Sequence, residues 1–239
     1  EEFKPYKVDK DRVKEILNVK ENILREDEAM EVFKAYGIDT PKTLLVKSGE
    51  EINALKKEEF KYPLVMKISS PDIQHKTDVG GVRLGIKDEK EAVKAFEELM
   101  QNAKKAKPEA RIEGAIAQEM APQGVEVIMG ALKDPTFSPT VMFGLGGILV
   151  EVLKDVVFRI APVNREECLK MLQEVRGSVI LKGVRGSKGV HMNCLAEAIS
   201  RLSQLIYDFP EIAEVDANPV IAYEGGICAV DALIRLQEN

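Results

Sequence analysis

Short apolar segments of β-strand type alternate with longer amphipathic helical segments along this chain, and this order constrains the fold most strongly. The segment EKEAVKAFEELMQNAKKA places Val93, Phe96 and Leu99 on one helical face, whereas the preceding PLVMKIS is a short apolar strand. Chains in which strands alternate with helices form layered folds, with helices packed on sheets. The order predicts an α/β or α+β protein.

A break at APQG, residues 121–124, divides this pattern into two parts. We predict an N-terminal lobe over residues 21–120 and a C-terminal lobe over residues 121–239, each with a sheet packed by helices. Residues 1–20 are Lys-rich and polar, and we expect a short helix or an arm there. The final two predicted strands are EIAEVDANPVIAY and GICAVDALIRL.

The composition excludes several classes of protein. No apolar run approaches the roughly 20 residues that a membrane helix requires. The net charge of −6 argues against nucleic acid as the main partner, because phosphate contacts need concentrated Lys and Arg. Cys168, Cys194 and Cys228 are odd in number and lack CxxC spacing, which indicates neither a disulfide framework nor a zinc knuckle. We expect a cytoplasmic protein without a secretory leader.

Polar side chains recur on one face of the closing strands. In AEVDANP, Glu214, Asp216 and Asn218 share a face, and Asp231 in the next predicted strand adds another carboxylate. Carboxylate and carboxamide oxygens suit Mg²⁺, which takes one or two protein oxygens beside water and phosphate. The same alternation is typical of a solvent-facing sheet surface. Spacing alone leaves both interpretations open.

A lysine leads from an apolar strand into a loop that contains two adjacent glycines. Lys67 precedes SSPDIQHKTDVGGV, residues 69–82, where Gly80 and Gly81 would let backbone N–H groups approach phosphates. Neither a P-loop nor a GxGxxG fingerprint occurs, so the common nucleotide-binding folds are not indicated. The GxGG run in MFGLGGILVE indicates tight packing or anion contact rather than a Rossmann site.

The same loop carries His75, one of only two histidines in the chain. As a metal ligand it would have only His191 as a histidine partner, whereas zinc sites usually need several His or Cys ligands. As a structural residue it would be satisfied by hydrogen bonds. As a catalyst, its neutral imidazole would attack phosphorus and carry the phosphoryl group. Residue type alone leaves these three interpretations open.

Three long motifs bear on this choice. SSPDIQHKTDVGGVRLGI, MFGLGGILVEVLKDVVFRIAPV and FPEIAEVDANPV closely resemble the ATP-grasp β component of ADP-forming acyl-CoA synthetases, best known as acetate–CoA ligase. The resemblance runs from about Arg25 to Leu236. More distantly, the chain is similar to the β subunit of succinate–CoA ligase. The resemblance implies an ATP-grasp fold with the nucleotide between two lobes, ADP or ATP as substrate, and Mg²⁺.

The resemblance also implies a role for each residue that matches a family motif. His75 corresponds to the phosphorylatable histidine, which accepts the phosphoryl group from a histidine of the α subunit and passes it to ADP. Asp216 matches an acid near the phosphohistidine, and Asn218 with Asp231 match the magnesium ligands of the succinate enzyme. The implied nucleotide-binding residues are Lys67, Gly80, Gly81 and Arg159 at the phosphates, Gln118, Glu119 and Met120 at adenine, and Glu126 at the ribose.

The chain lacks the CoA-binding Rossmann segment and the second catalytic histidine, which this family carries on an α component. The resemblance therefore implies a separate β subunit that joins a CoA-binding α subunit, with its own phosphorylatable histidine, in an α2β2 heterotetramer. The implied reaction converts acyl-CoA, ADP and phosphate to acid, ATP and CoA, reversibly. Because CoA chemistry occurs on the other subunit, we expect the loop between Pro71 and Gly80 to swing.

Two other functions compete with this prediction. A succinate–CoA ligase-like β subunit usually lacks the histidine in this loop, so DIQHKTD favours the acyl-CoA synthetase. A non-catalytic regulatory ATP-binding module would have no need of His75, Lys67, Asn218 and Asp231 together. Transfer of phosphate from labelled ATP to His75 would separate this last alternative from an enzyme.

Overall fold

The computed structural model describes residues 2–19, 21–53, 60–73, 75–133, 138–147, 155–184 and 188–237. The chain forms two compact units: a main unit of residues 1–40 and 121–239, and an inserted unit of residues 41–120. In both units the paired strands run antiparallel, which is the α+β form of the predicted fold. Among the described residues, no helix is both long and apolar enough to cross a bilayer.

The inserted unit is a sheet of four strands covered by helices on one face. Its strands are β1 (Thr43–Val46), β2 (Leu64–Ser69), β3 (Val82–Ile86) and β4 (Gly114–Glu119), in the spatial order β1-β4-β2-β3. Its helices are α3 (Gly49–Asn53) and α4 (Glu89–Ala106), and a 3-10 turn spans Lys76–Val79. Residues 54–59, which follow α3, lie outside the described residues.

Helix α4 has the bounds that its sequence predicts, because both its cap and its apolar stripe are local. Asp88 caps it by accepting a hydrogen bond from Glu91 N at 2.9 Å. Phe96 and Leu99 on its buried face pack with Met66 of β2 in one apolar cluster. This packing fixes α4 across the sheet that carries the loop after β2.

The main unit is a sheet of six strands packed on helices. Its strands are β5 (Val125–Leu132), β6 (Thr140–Leu145), β7 (Val156–Ile160), β8 (Ile212–Tyr223), β9 (Gly226–Ala229) and β10 (Leu233–Leu236). The spatial order is β10-β8-β5-β6-β7, and β9 also pairs with β8. Its helices are α1 (Lys10–Leu17), α2 (Glu26–Ala35), α5 (Arg165–Glu174) and α6 (Met192–Asp208).

The boundaries of the compact units differ from the predicted lobes at one end. The break near residue 120 coincides with a unit boundary, whereas residues 21–40 belong to the main unit rather than to a lobe of residues 21–120. The reason is burial, because Val32 and Phe33 of α2 are fully buried in the apolar core formed with β5 and α6. Residues 1–20 join the same core through Val13 and Leu17, so α1 is an integral part of this unit.

The last predicted strand, GICAVDALIRL, is divided in the structure. It forms β9 and β10, with residues 230–232 between them, and both strands pair with β8. Asp231 therefore lies in the connection rather than within a strand, which corrects its predicted placement. The physical cause is Pro219: the backbone N–H of Val230 donates to Pro219 O at 3.1 Å, but proline has no N–H to return the bond, so the regular ladder ends there.

Candidate functional site

His75 stands at the start of an exposed turn in the inserted unit. It immediately precedes the 3-10 turn Lys76–Val79, its side chain is exposed, and its carbonyl accepts a hydrogen bond from Asp78 N at 3.2 Å. A structural histidine is usually enclosed by its hydrogen-bond partners, and this one is open to solvent. The geometry leaves the imidazole accessible to a reactant.

The second histidine has a structural role, which bears on the metal-ligand interpretation of His75. The Nδ1 atom of His191 accepts a hydrogen bond from Cys194 N at 3.2 Å and caps α6. His191 belongs to the main unit, whereas His75 belongs to the inserted unit. Within the described ranges, no group of three or more His, Cys, Asp or Glu side chains could hold a metal ion.

Gly80 and Gly81 close the turn and return the chain to β3. Gly80 has a left-handed backbone with φ +63°, which favours glycine, and its N–H donates to Thr77 O at 3.0 Å. Gly81 N–H donates to Lys76 O at 2.7 Å, and a Cβ at Gly81 would lie 2.7 Å from Ile68 Cγ2. Both positions need glycine for the turn itself, whether or not a ligand binds there.

Lys67 is a buried cation in β2. Only 7% of the residue is exposed, and its strand neighbours in the register are Ile116 and Val82. Burying an ammonium group is costly unless an anionic or polar group satisfies it, and Lys67 has such an interaction within the chain. A phosphate at this position would have to share or replace that interaction.

The predicted adenine-binding residues lie at the end of β4. Gln118 is buried, and its Nε2 atom lies 3.3 Å from Thr43 Oγ1. The Glu119 N–H donates to Lys42 O at 3.0 Å, and its Oε1 atom accepts from Lys61 N at 2.9 Å. Met120 is 44% exposed. Any adenine contact at Glu119 must therefore use a backbone group other than its N–H.

Glu126 of the main unit lies against the glycine run that the sequence singled out. The N–H of Gly146 donates to Glu126 O at 2.7 Å, and a Cβ at Gly146 would lie 2.9 Å from the Glu126 carbonyl carbon. Gly147 has φ +65°, and a Cβ there would lie 3.6 Å from Glu126 Oε2. The glycines bring two backbone segments together beneath an exposed carboxylate; the rest of this motif, residues 148–154, lies outside the described residues.

Asp216 lies on the sheet face opposite the apolar core. Its neighbours Val215 and Ala217 are buried in that core, and Asp216 pairs with Gly130 of β5. Burial raises the pKa of Asp216 to about 6, and the charges of Glu214 and Asp231 contribute in the same direction. Negative charge is thus concentrated on this face, which favours binding of a cation.

Asn218 and Asp231 lie level with each other on neighbouring segments. Residue 229 pairs with residue 220 and residue 233 pairs with residue 216, so residue 231 comes opposite residue 218. The Oδ1 atom of Asp231 accepts a hydrogen bond from Ala232 N at 3.0 Å, which orients the carboxylate. One amide and one carboxylate fit Mg²⁺, because this ion usually keeps water and phosphate oxygens as its other ligands.

Arg159 is engaged within the main unit. Its Nε atom donates to Glu167 Oε1 at 2.9 Å, and its Nη2 atom forms a very short contact with Glu174 Oε1. Hydrogen bonds to Glu174 and Glu167 raise the pKa of Arg159. The predicted contact of Arg159 with a γ-phosphate would therefore have to compete with two carboxylates of α5.

Sequence reasoning missed residues that hold the loop of His75 and the strand of Arg159. Asp72 accepts a hydrogen bond from Arg111 N, and the buried Asp155 accepts from the N–H groups of Arg176 and Gly177. The Pro71–Asp72 turn pattern was a local signal for the first. Their partners lie 39, 21 and 22 residues away, so no local pattern could reveal the pairs.

The comparisons with known proteins agree with the resemblance seen in the sequence. An ATP-grasp domain model matches residues 15–236. The acetate–CoA ligase [ADP-forming] I subunit beta of Pyrococcus furiosus is 49% identical over 214 residues, which cover 89% of this chain and 91% of that protein.

Two solved structures of the dinucleotide-forming acetyl-coenzyme A synthetase 1 of Ca. Korarchaeum cryptofilum have the same fold. One, in complex with coenzyme A, Ca-AMPCP and HgCl+, is 43% identical with a TM-score of 0.90, covering 95% of this chain and 99% of that one. The other, with coenzyme A and Mg-AMPPCP and its phosphohistidine segment pointing towards the nucleotide binding site, is 39% identical with a TM-score of 0.81, covering 96% and 100%. The chain belongs to the ATP-grasp family, among the β subunits of ADP-forming acetate–CoA ligases.

Proposed function

We propose that this chain is the β subunit of an ADP-forming acetate or acyl-CoA ligase. It interconverts acyl-CoA, ADP and phosphate with acid, ATP and CoA through a phosphoryl group carried by His75. The observation that carries this proposal is an exposed imidazole on a loop that directly follows the strand of the buried cation Lys67. The 49% identity to a named acetate–CoA ligase β subunit supports this function over a succinate–CoA ligase.

His75 acts as the nucleophile towards phosphorus. Its neutral imidazole nitrogen accepts the phosphoryl group from a histidine of the α subunit and then releases it to the terminal oxygen of ADP. The resemblance assigns Asp216 a part in the chemistry of the phosphohistidine, and a carboxylate is the type of group that fixes the tautomer of a histidine. Phosphoryl transfer depends on position and on charge neutralisation, which Lys67 supplies at the phosphates.

The remaining site residues hold the nucleotide and its cation. Gly80 and Gly81 let the backbone approach the phosphates, and Arg159 contacts the γ-phosphate once it leaves its carboxylate partners. The backbone at Gln118, Glu119 and Met120 holds adenine, and Glu126 holds the ribose. Asn218 and Asp231 would bind Mg²⁺, which supplies charge neutralisation and orientation of the phosphates.

The chain works with a partner. We propose a CoA-binding α subunit that carries a second phosphorylatable histidine and forms an α2β2 heterotetramer with this chain. The name of the Pyrococcus furiosus relative, a subunit beta, supports the need for such a partner. In this arrangement His75 serves two reaction centres, so the loop that bears it must move or be reached.

Labelling with phosphate tests the proposal. We expect wild-type protein incubated with Mg²⁺ and ATP labelled in the γ-phosphate to acquire an acid-labile phosphate at His75. His75→Ala abolishes the label, and Asp231→Ala abolishes metal-dependent binding. His191→Asn is the matched control, because Asn also accepts the capping hydrogen bond of α6 and should leave labelling unchanged. Equal labelling of His75→Ala and wild-type protein would refute the phosphohistidine, and with it the proposed function.

A further inference from the structure

The turn that carries His75 is held at both ends by α4 and the chain that follows it. We call residues 75–81 the His75 segment. At its far end, Asn102 Nδ2 donates to Gly80 O at 3.2 Å. Just before it, Lys107 Nζ donates to Asp72 O at 2.9 Å, and Arg111 N donates to Asp72 Oδ2 at 2.7 Å. One helix and its extension therefore fix the two points where this turn joins the body of the unit.

Between these two points the side chains of His75, Thr77 and Asp78 face open space, whereas Val79 packs against the apolar core of the unit. A cavity of about 390 Å³ lies beside the segment, lined by Pro71, Asp72, Ile73, His75, Asp78 and Lys107. Ile73, just before the segment, is 2% exposed, whereas the side chains of His75, Thr77 and Asp78 are exposed. Packing thus holds Ile73 before the turn and Val79 within it, whereas the His75 side chain on the cavity side has room to change its orientation.

The backbone inside the His75 segment gives it a defined shape of its own. Asp78 N–H donates to His75 O, Gly80 N–H to Thr77 O and Gly81 N–H to Lys76 O, at 3.2, 3.0 and 2.7 Å. Gly81 O in turn accepts from Ile68 N of β2 at 2.8 Å. These hydrogen bonds hold the segment in one shape, so its orientation depends on the attachments at Asp72, Gly80 and Gly81 and on the packing of Val79.

We propose that Asn102 and Lys107 are positioning residues for phosphoryl transfer at His75. They fix the attachments of the His75 segment, so that the imidazole reaches phosphorus in a reproducible orientation. This inference rests on the proposed function of His75 as the phosphoryl carrier. The physical reason is that a reacting group held within a narrow range of orientations reacts at a much higher effective concentration than one on a loose tether.

Substitutions on the surface of α4 and just beyond it separate positioning from folding. Asn102→Ala removes the donor to Gly80 O, and Lys107→Met removes the donor to Asp72 O while keeping the apolar stem. In a single turnover with Mg²⁺ and γ-labelled ATP, we expect each variant to label His75 about tenfold more slowly. The dissociation constant for ATP should not change, because neither side chain is assigned to the nucleotide.

Neighbouring side chains on α4 provide the matched controls. Gln101→Ala and Lys105→Met alter exposed residues of the same helix, and both should label His75 at the wild-type rate. Lys107→Arg keeps a cationic donor and should restore most of the rate. A merely structural effect would lower the unfolding midpoint and would not be reversed selectively by the conservative variant.

Amide hydrogen exchange tests the attachments without relying on catalysis. Asn102→Ala and Lys107→Met should speed exchange at Asp78, Gly80 and Gly81 while leaving the amides of α4 unchanged. Labelling at the control rate, or unchanged exchange at these three amides in both variants, would overturn the positioning role. If wild-type His75 takes up no label at all, the proposed function fails, and the exchange result still decides whether α4 holds the turn.

Discussion

Asp216, on the sheet face that also carries Glu214, has a carboxylate that resists ionisation. The pKa of Asp216 rises to about 6 because the side chain is largely buried and because Glu214 and Asp231 are nearby. Glu214 has a cationic partner, since Arg235 Nε donates to its Oε2 atom at 3.1 Å. Repulsion of this kind lowers stability, and it persists where a functional site needs concentrated charge.

Asp216→Asn should stabilise the magnesium-free protein at neutral pH. In the folded chain Asp216 keeps its proton up to a pH of about 6, whereas its ordinary pKa is 3.8, so the unfolded chain releases the proton earlier. Folding stability therefore falls as pH rises from about 4 to about 6, by at most about 3 kcal/mol before solvent screening reduces it. The variant lacks this loss, so its advantage should be present at pH 7.5 and absent at pH 4.

Thermal unfolding in EDTA at these two pH values measures the effect. Glu109→Gln, at an exposed carboxylate, is the control, and its small shift of the unfolding midpoint should be the same at pH 4 and at pH 7.5. If Asp216→Asn gains no stability between pH 4 and pH 7.5 relative to this control, the burial and repulsion assigned to Asp216 are wrong.

Local sequence pattern predicts which side chains share a face better than it predicts their partners. Alternation along β8 places Glu214, Asp216 and Asn218 opposite the buried Val215 and Ala217, as the sequence indicates. The ion pairs of Arg159 join β7 to α5 across a strand–helix connection, and the rotation of that helix is set by packing. Such a pairing follows from tertiary structure and is not contained in the spacing of charges along the chain.

Strand β7 and helix α5 are joined at two points. Arg159 pairs with carboxylates along α5, and Asp155 at the start of β7 accepts hydrogen bonds from Arg176 N at 2.9 Å and Gly177 N at 3.0 Å. Asp155 is 9% exposed, so its charge depends on these two donors. These contacts connect the strand, near both of its ends, to α5 and to the residues just after it.

Asp155→Ala should destabilise the main unit by about 3 kcal/mol, because two hydrogen bonds to a buried charge are lost and two N–H groups lose their acceptor. Asp155→Asn keeps one acceptor oxygen and should cost about half as much. Urea unfolding gives the free energies, and Asp11→Ala at an exposed position of α1 serves as the control. Equal stability of Asp155→Ala and Asp11→Ala would show that the buried carboxylate does not join these elements.

The elements that the sequence predicts best are those whose ends are marked locally. Helix α4 has an Asp88 cap and a regular apolar face through Phe96 and Leu99, and the helix matches the predicted segment. The closing segment GICAVDALIRL has no internal Gly or Pro after Gly226, and its division into β9 and β10 depends on pairing with β8. That division decides where Asp231 lies, so local pattern could not place the predicted metal ligand.

At the scale of the whole molecule, the two units have separate apolar cores. The core of the main unit includes Val13 and Phe33 from the first 40 residues, and the core of the inserted unit includes Phe96 and Leu64. The apolar spacing of Val13, Ile16 and Leu17 marks α1 as amphipathic. Contacts with residues far away in the sequence decide which sheet such a helix covers. For this reason the predicted lobe boundary at residue 21 differs from the boundaries of the compact units.

Phe33→Ala and Phe96→Ala should therefore destabilise different parts of the chain. Truncation of a buried Phe costs about 3–5 kcal/mol, because apolar contacts are lost and a cavity remains. Phe33 is fully buried in the main unit, so its loss should speed amide exchange in β5, β6 and β8, whereas Phe96→Ala should speed it in β2 and β4. Lys34→Ala and Lys94→Ala, at exposed positions of the same two helices, are the controls for helix propensity.

Faster exchange of β2 and β4 in Phe33→Ala, with β5 and β8 unchanged, would show that residues 21–40 pack with residues 41–120. That result would refute the division into compact units. The opposite pattern would establish that α2, although it precedes the inserted unit in the chain, belongs energetically to the sheet that bears Asp216 and Asn218.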